Sequence, residues 1–184
     1  MKKPNCLFIW QAVGVLFIVV IAILWHYLYD VIPSPIIGMV APVNESPWEH
    51  AKLFFAPALI FYIIEYLFIG KKYPNFITAH TVALVFMPIF MLLVYYSYAW
   101  MFENGENLTL NIINTVVTIT VAQLIAYRLT KSNINLKRYN GLSIFIVHLM
   151  FIIFAVFTFH PPKLPLFYDP INKSYGIRGF FYCL

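Results

Sequence analysis

Long apolar stretches alternate with short polar loops along the whole chain. Five of these stretches, 6–29, 53–70, 77–101, 110–129 and 142–160, approach or exceed the ~20 residues a helix needs to cross ~30 Å of hydrocarbon. A backbone in lipid must satisfy its own hydrogen bonds, so each stretch is predicted to be a helix. No segment alternates apolar and polar residues as a membrane barrel strand would. The expected fold is therefore all-α: one polytopic transmembrane bundle of five spans filling residues 1–184, with a tail from 161 onward.

Hydrophobic residues make up 62% of the chain and charged residues only 10%. The mean hydropathy is +0.80. No soluble domain of 184 residues needs so much apolar surface. The charges then give an orientation. Lys2 and Lys3 precede the first stretch, Lys71 and Lys72 follow the second, and Arg128, Lys131, Lys137 and Arg138 lie between the fourth and fifth. The intervening loops hold Asp30, Glu45, Glu49, Glu103 and Glu106, opposed only by Lys52. Basic loops stay on the cytoplasmic side, which predicts an inside N-terminus and an outside tail in a bacterial plasma membrane. The net charge of +5 is that of loops facing an anionic lipid surface and implies no nucleic-acid partner. Cys6 and Cys183 fall on opposite sides and cannot pair within one chain.

Two connecting segments are unusual. Residues 31–47 carry Pro33, Pro35, Pro42 and Pro47 around an apolar centre too short to span, expected at the outer interface or dipping into the mouth of the bundle. Ser46-Pro47-Trp48-Glu49 fits a capping box, which starts the second helix at Pro47. The tail from Pro161 is rich in proline and aromatics, predicts extended backbone, and is expected to lie against the outer face.

Polar groups at membrane depth are expensive and mark candidate chemistry. An outer layer gathers His26 and Asp30, then Asn44, Glu45, Trp48, Glu49 and His50, then His160, Tyr168 and Asp169. Carboxylates and imidazoles converging from three parts of the chain suit acid–base chemistry or a divalent transition metal. The expected assignment makes Glu45, Glu49, His50 and Asp169 acid–base groups, and His26, Glu49, His50 and His160 metal ligands. Their spacing matches no zinc signature, and Glu49 has a competing reading as the closing residue of the capping box. An inner layer of Glu65, His80, Gln123 and His148, joined by Gln11, is expected ~7–12 Å inside the other boundary, with His80 as partner of Glu65. It reads either as polar glue between helices or as a proton relay.

The segment Ala41–Leu53, with Asn44-Glu45-Ser46-Pro47-Trp48-Glu49-His50 at its centre, resembles a family of small uncharacterised bacterial integral membrane proteins. Phe157–Pro170, followed by Tyr175-Gly176, resembles the second motif of that family. The resemblance implies a compact multi-helix membrane protein and carries no activity. Three functions remain open: a membrane-embedded enzyme acting on an amphipathic or lipid-linked substrate, a small-solute or metal transport subunit, and a non-enzymatic assembly or sensor protein docking through Trp48.

Overall fold

The computed structural model describes residues 6–102 and 107–177; Lys2, Lys3, Glu103, Glu106 and Cys183 lie outside them. Among the described residues there are α1 (Cys6–His26), α2 (Leu28–Val31), α3 (Pro35–Gly38), α4 (Pro47–Phe68), α5 (Phe76–Tyr98), α6 (Leu108–Thr130) and α7 (Asn140–Phe159). Five of them are long and apolar enough to cross a membrane, and they coincide with the five apolar stretches. One end of the bundle carries the 71–72 and 131–138 turns and is here the basic end. The opposite end carries the 31–47 segment and the tail, and is here the cleft end.

The start of α4 shows how far local sequence dictates structure. Ser46 caps the helix from an extended conformation, its Oγ accepting from the Glu49 amide at 3.3 Å, with Pro47 at the first position. The expected capping box forms only by half. The Ser46 amide is taken by Asn44 Oδ1 at 2.9 Å, which leaves the Glu49 carboxylate for other partners. Pro57 and Pro88 lie inside α4 and α5, which continue through them.

Packing follows residue size. Ala79 and Ala83 of α5, and Ala122 and Ala126 of α6, are fully buried, and such small residues let helix backbones approach closely. Gly14 does the same for α1, since a Cβ there would strike Phe61 of α4 and the Gln123 amide of α6. Apolar side chains that face outward, such as Leu16, Leu67, Leu93 and Phe145, are the surface a bilayer would cover.

The 31–47 segment and the tail are both tied down. Trp25 Nε1 donates to the Val40 carbonyl at 2.9 Å. The tail folds back as a two-stranded antiparallel hairpin, Tyr168–Asp169 against Ser174–Tyr175, where the sequence suggested only extended chain. Its return strand is clamped by Asn44 Nδ2 to the Gly176 carbonyl at 3.0 Å and by the Ile177 amide to the Thr158 carbonyl at 3.1 Å. Gly176 sits at φ +61°, and a Cβ there would meet Thr158 O at 2.7 Å, so the clamp requires glycine. Trp48, the aromatic expected as a docking anchor, is half-buried and packs at a tilt on Phe154 and Phe167 and edge-on to Phe157.

At the centre of these ties lies a sealed ion pair. Lys52 Nζ, with no exposed surface, donates to Glu49 Oε2 at 2.6 Å, Thr158 Oγ1 at 2.5 Å and the Gly38 carbonyl at 2.7 Å. Glu49 also accepts from the Val43 amide at 3.0 Å, and Thr158 Oγ1 lies 3.2 Å from its other oxygen. One cluster thus joins α3, the 38–43 loop, α4 and α7. Removing one partner of a buried pair leaves an uncompensated charge and costs about 3–5 kcal/mol, whereas replacing both by apolar side chains is often neutral. Lys52→Met should therefore lower stability by about that amount, and Glu49→Leu/Lys52→Met should recover most of it. Thermal denaturation of the purified protein in detergent checks both; equal losses in the single and double variants would refute a sealed pair.

Candidate functional site

At the cleft end, His26 closes α1, Glu45 precedes the α4 cap, and His50 occupies the first turn of α4. One ligand atom from each lies within 4.8 Å of the other two. His50 Nε2 is 3.3 Å from Glu45 Oε2, and His26 Nε2 is 3.6 Å from Glu45 Oε1. The two imidazole rings lie 5.3 Å apart. A tetrahedral centre with bonds of ~2.0–2.2 Å sets neighbouring ligand atoms roughly 3.3–3.6 Å apart, so the carboxylate already stands at ligand spacing from both rings.

The helix places His50 by a second contact. Its Nδ1 lies 3.0 Å from the Ser46 carbonyl, one turn back. A carbonyl can only accept, so Nδ1 carries a proton there; Nε2 donates to Glu45 when the ring is protonated and offers its lone pair to a metal when the ring is neutral. This is the backbone support that orients metal-ligating histidines. His26 lacks it: its Nδ1 is buried with no hydrogen-bond partner among the described residues. The hydrogen bond to His50 draws the Glu45 carboxyl below its ordinary range and outweighs the opposing effect of burial. All three side chains are half-buried and so remain reachable.

They stand at the mouth of a cleft of about 470 Å³ between α1, α4 and α6. Val19, Ala22 and Ile23 of α1 face Ile112 and Val116 of α6 across it, with Asn111 and Thr115 as the polar groups of the far wall. A smaller pocket of about 90 Å³ continues inward past Phe54 and Met91 to Asn114. Pro170 and Ile171, at the turn of the tail hairpin, line these spaces and overlie the site. Ile23 and Ile112 are both exposed on the bundle surface, so the apolar part of the cleft reaches the face that lipid would cover.

The other expected ligands and acid–base groups have different roles. Glu49 is buried against Lys52, Thr158 and the Val43 amide, and takes no part in the three-residue group. Its separation follows from helical geometry, since adjacent residues such as Glu49 and His50 point about 100° apart. Asp169 is fully buried and accepts from the amides of Ile171 and Asn172 and from the Asn172 side chain, each at 2.9 Å. It holds the hairpin turn and lies outside the three-residue group. His160 ends α7 and also lies outside the three-residue group.

Nearer the basic end, the structure brings together Gln11, Glu65 and His80, all buried. His80 Nε2 is 3.1 Å from Glu65 Oε2, and Gln11 Nε2 donates to Glu65 Oε1 at 2.5 Å. His80 Nδ1 meets the Phe76 carbonyl at 2.8 Å and so must donate there, which leaves one proton to be shared in the Glu65–His80 contact. Gln123 bonds separately to the Tyr62 hydroxyl at 3.0 Å, and Tyr62 stands edge-on to the His80 ring. Tyr62 was not foreseen; one tyrosine in an apolar helix carries no sequence signal of its partner. His148 does not join this layer. It is exposed on α7 and bonds its own turn, Nδ1 to the Ile144 carbonyl at 2.7 Å. The cluster is enclosed and links α1, α4 and α5, which suits polar glue between helices.

The chain belongs to a family of unknown function, DUF6512, which matches residues 1–177. No curated protein and no solved structure matches it.

Proposed function

We propose that this chain is an integral membrane metalloprotein. His26, Glu45 and His50 bind a divalent transition metal, which acts on an amphipathic molecule held in the cleft between α1 and α6. The observation that carries the reading is the meeting of three ligand atoms from separate segments within 4.8 Å at the mouth of an open cleft. Two imidazoles and one carboxylate form a ligand set used by catalytic zinc sites, which keep a further position open for water or substrate. A metal so held supplies Lewis-acid chemistry to a group presented from the cleft. The protein contributes the rest. Ser46 fixes the tautomer of His50, the α1 and α6 walls accept an apolar chain, and Asn111 and Thr115 face the polar portion of the ligand. The hairpin turn at Pro170 and Ile171 limits access of water.

Elemental analysis of protein purified without chelator tests this reading. One metal per chain is expected in the wild type. Glu45→Gln and His50→Ala should each reduce it at least tenfold, and His26→Ala should reduce it less, because His26 lacks backbone support. Asp169→Asn should retain it. Metal content near zero in the wild type, or unchanged by Glu45→Gln and His50→Ala, overturns the reading. Because ligands must be deprotonated, occupancy should also fall as pH drops below the ordinary histidine range, about 6.5.

The same proposal sets the chain in the bacterial cytoplasmic membrane with the basic end inside and the cleft outside, as the charge asymmetry of the loops favours. In a Cys6→Ser/Cys183→Ser background, a membrane-impermeant thiol reagent should label Ile171→Cys in intact cells and Tyr73→Cys only after lysis. The reverse pattern contradicts this orientation.

A further inference from the structure

A second opening lies at the basic end, on another side of the bundle. The inner ends of α5 and α7 are stitched together: the Ser143 hydroxyl bonds Thr78 Oγ1 at 3.0 Å, and Thr78 reaches the Leu136 carbonyl at 3.1 Å and Asn140 Oδ1 at 3.0 Å. The Asn75 side chain pins the adjoining turn through the carbonyls of Ser132 and Ile134 and the amide of Leu136. α7 meets α4 near the cleft end, where Phe154 packs on Trp48 and Phe55. Toward the basic end a groove of about 230 Å³ separates them. α5 forms its floor, with Ile77 and Leu84; Leu59 and Ile63 of α4 form one wall, and Ile144 and Val147 of α7 the other.

The groove is mostly apolar, with Tyr66, Thr81 and the exposed His148 also on its lining. His80 and Tyr62 lie on its floor with their polar atoms bonded to Glu65, Phe76 and Gln123. The turns that flank its two walls at the basic end have the opposite character. Lys71 and Lys72 follow the α4 wall, and Lys137 and Arg138 precede the α7 wall. Lys131 and Arg128 stand at the end of α6, one helix further on. No carboxylate balances them in sequence: no acidic residue occurs between Glu65 and Glu103, or between Glu106 and Asp169. Glu65 itself is buried with His80.

A mostly apolar slot between helices, flanked by uncompensated basic turns, complements one kind of molecule. We infer that the groove between α4, α5 and α7 is a binding site for an anionic glycerophospholipid. One acyl chain lies along Leu84 and Val147, and the phosphate stands between the Lys71–Lys72 and Lys137–Arg138 pairs. Basic pockets between helices on the cytoplasmic side bind acidic lipid headgroups in this way. The site is separate from the His26–Glu45–His50 cluster, and the inference needs only that the chain resides in a bilayer.

Native mass spectrometry of the delipidated full-length protein, titrated with dioleoylphosphatidylglycerol or dioleoylphosphatidylcholine, tests it. One phosphatidylglycerol should bind at least tenfold more tightly than phosphatidylcholine. Replacing Lys71, Lys72, Lys137 and Arg138 by Gln should abolish that preference, since each basic side chain near an anionic headgroup is worth roughly fivefold. Val147→Trp, which fills the groove and leaves every charge in place, should lower phosphatidylglycerol binding at least tenfold. Equal binding of the two lipids, or undiminished phosphatidylglycerol binding in Val147→Trp, overturns the site. Lipid occupancy is read without reference to metal, so failure here is distinct from failure of the metal site.

Discussion

The cleft end is organised by one interaction that water never reaches, the Glu49–Lys52 pair. Two charges sealed from solvent are stable only when their remaining hydrogen-bonding capacity is met. Here Gly38, Val43 and Thr158 meet it, and each belongs to a different part of the chain. The electrostatic demand of the pair therefore fixes geometry. It draws the 38–43 loop down onto α4 and brings the end of α7 against both. Asn44 and Thr158 then extend the same junction to the tail through Gly176 and Ile177.

The three-residue cluster stands beside that junction. Glu45 is a loop residue, and its position between His26 and His50 follows from where the loop is anchored, two residues away at Val43 and one residue away at the Ser46 cap. Glu49 thus matters to the site without touching it. The division of labour between neighbours is geometric: along the first two turns of α4, Glu49 and Lys52 face inward, while His50 faces the cleft. The basic end is held differently, by neutral side chains bonding backbone carbonyls, with Glu65 enclosed against His80.

The five helices were legible because hydrophobic length alone specifies them, and the α4 start was legible because Ser-Pro-x-Glu is a local signal. The partnership of Glu65 with His80 was also legible, since matching depth leaves a buried carboxylate few alternatives. Lys52 was not. In the sequence it is a lone cation in an acidic loop, and its partner Thr158 lies more than a hundred residues away. Without Lys52, Glu49 read as a ligand or a capping residue; the structure instead bonds its carboxylate to Lys52, Thr158 and the Val43 amide. The turn-closing hydrogen bonds of Asp169 were not legible for a related reason, because an aspartate that closes a turn and one that takes a proton look alike in sequence. His148 stands apart from the hydrogen-bonded cluster, since depth along a helix says nothing of the side on which a residue faces. The convergence of His26, Glu45 and His50 required the loop anchor and could be suspected from the sequence only as part of a larger set.

Zinc affinity of the Glu49→Leu/Lys52→Met variant, measured by competition with a chelating dye at a temperature where the variant is folded, tests the dependence of the site on its anchor most directly. All three ligands are intact in that variant. Its affinity should be at least tenfold weaker than that of the wild type, because Glu45 is no longer held between the two imidazoles. Equal affinities would show that the ligands meet without the buried pair, and no zinc binding by the wild type would remove the metal site altogether.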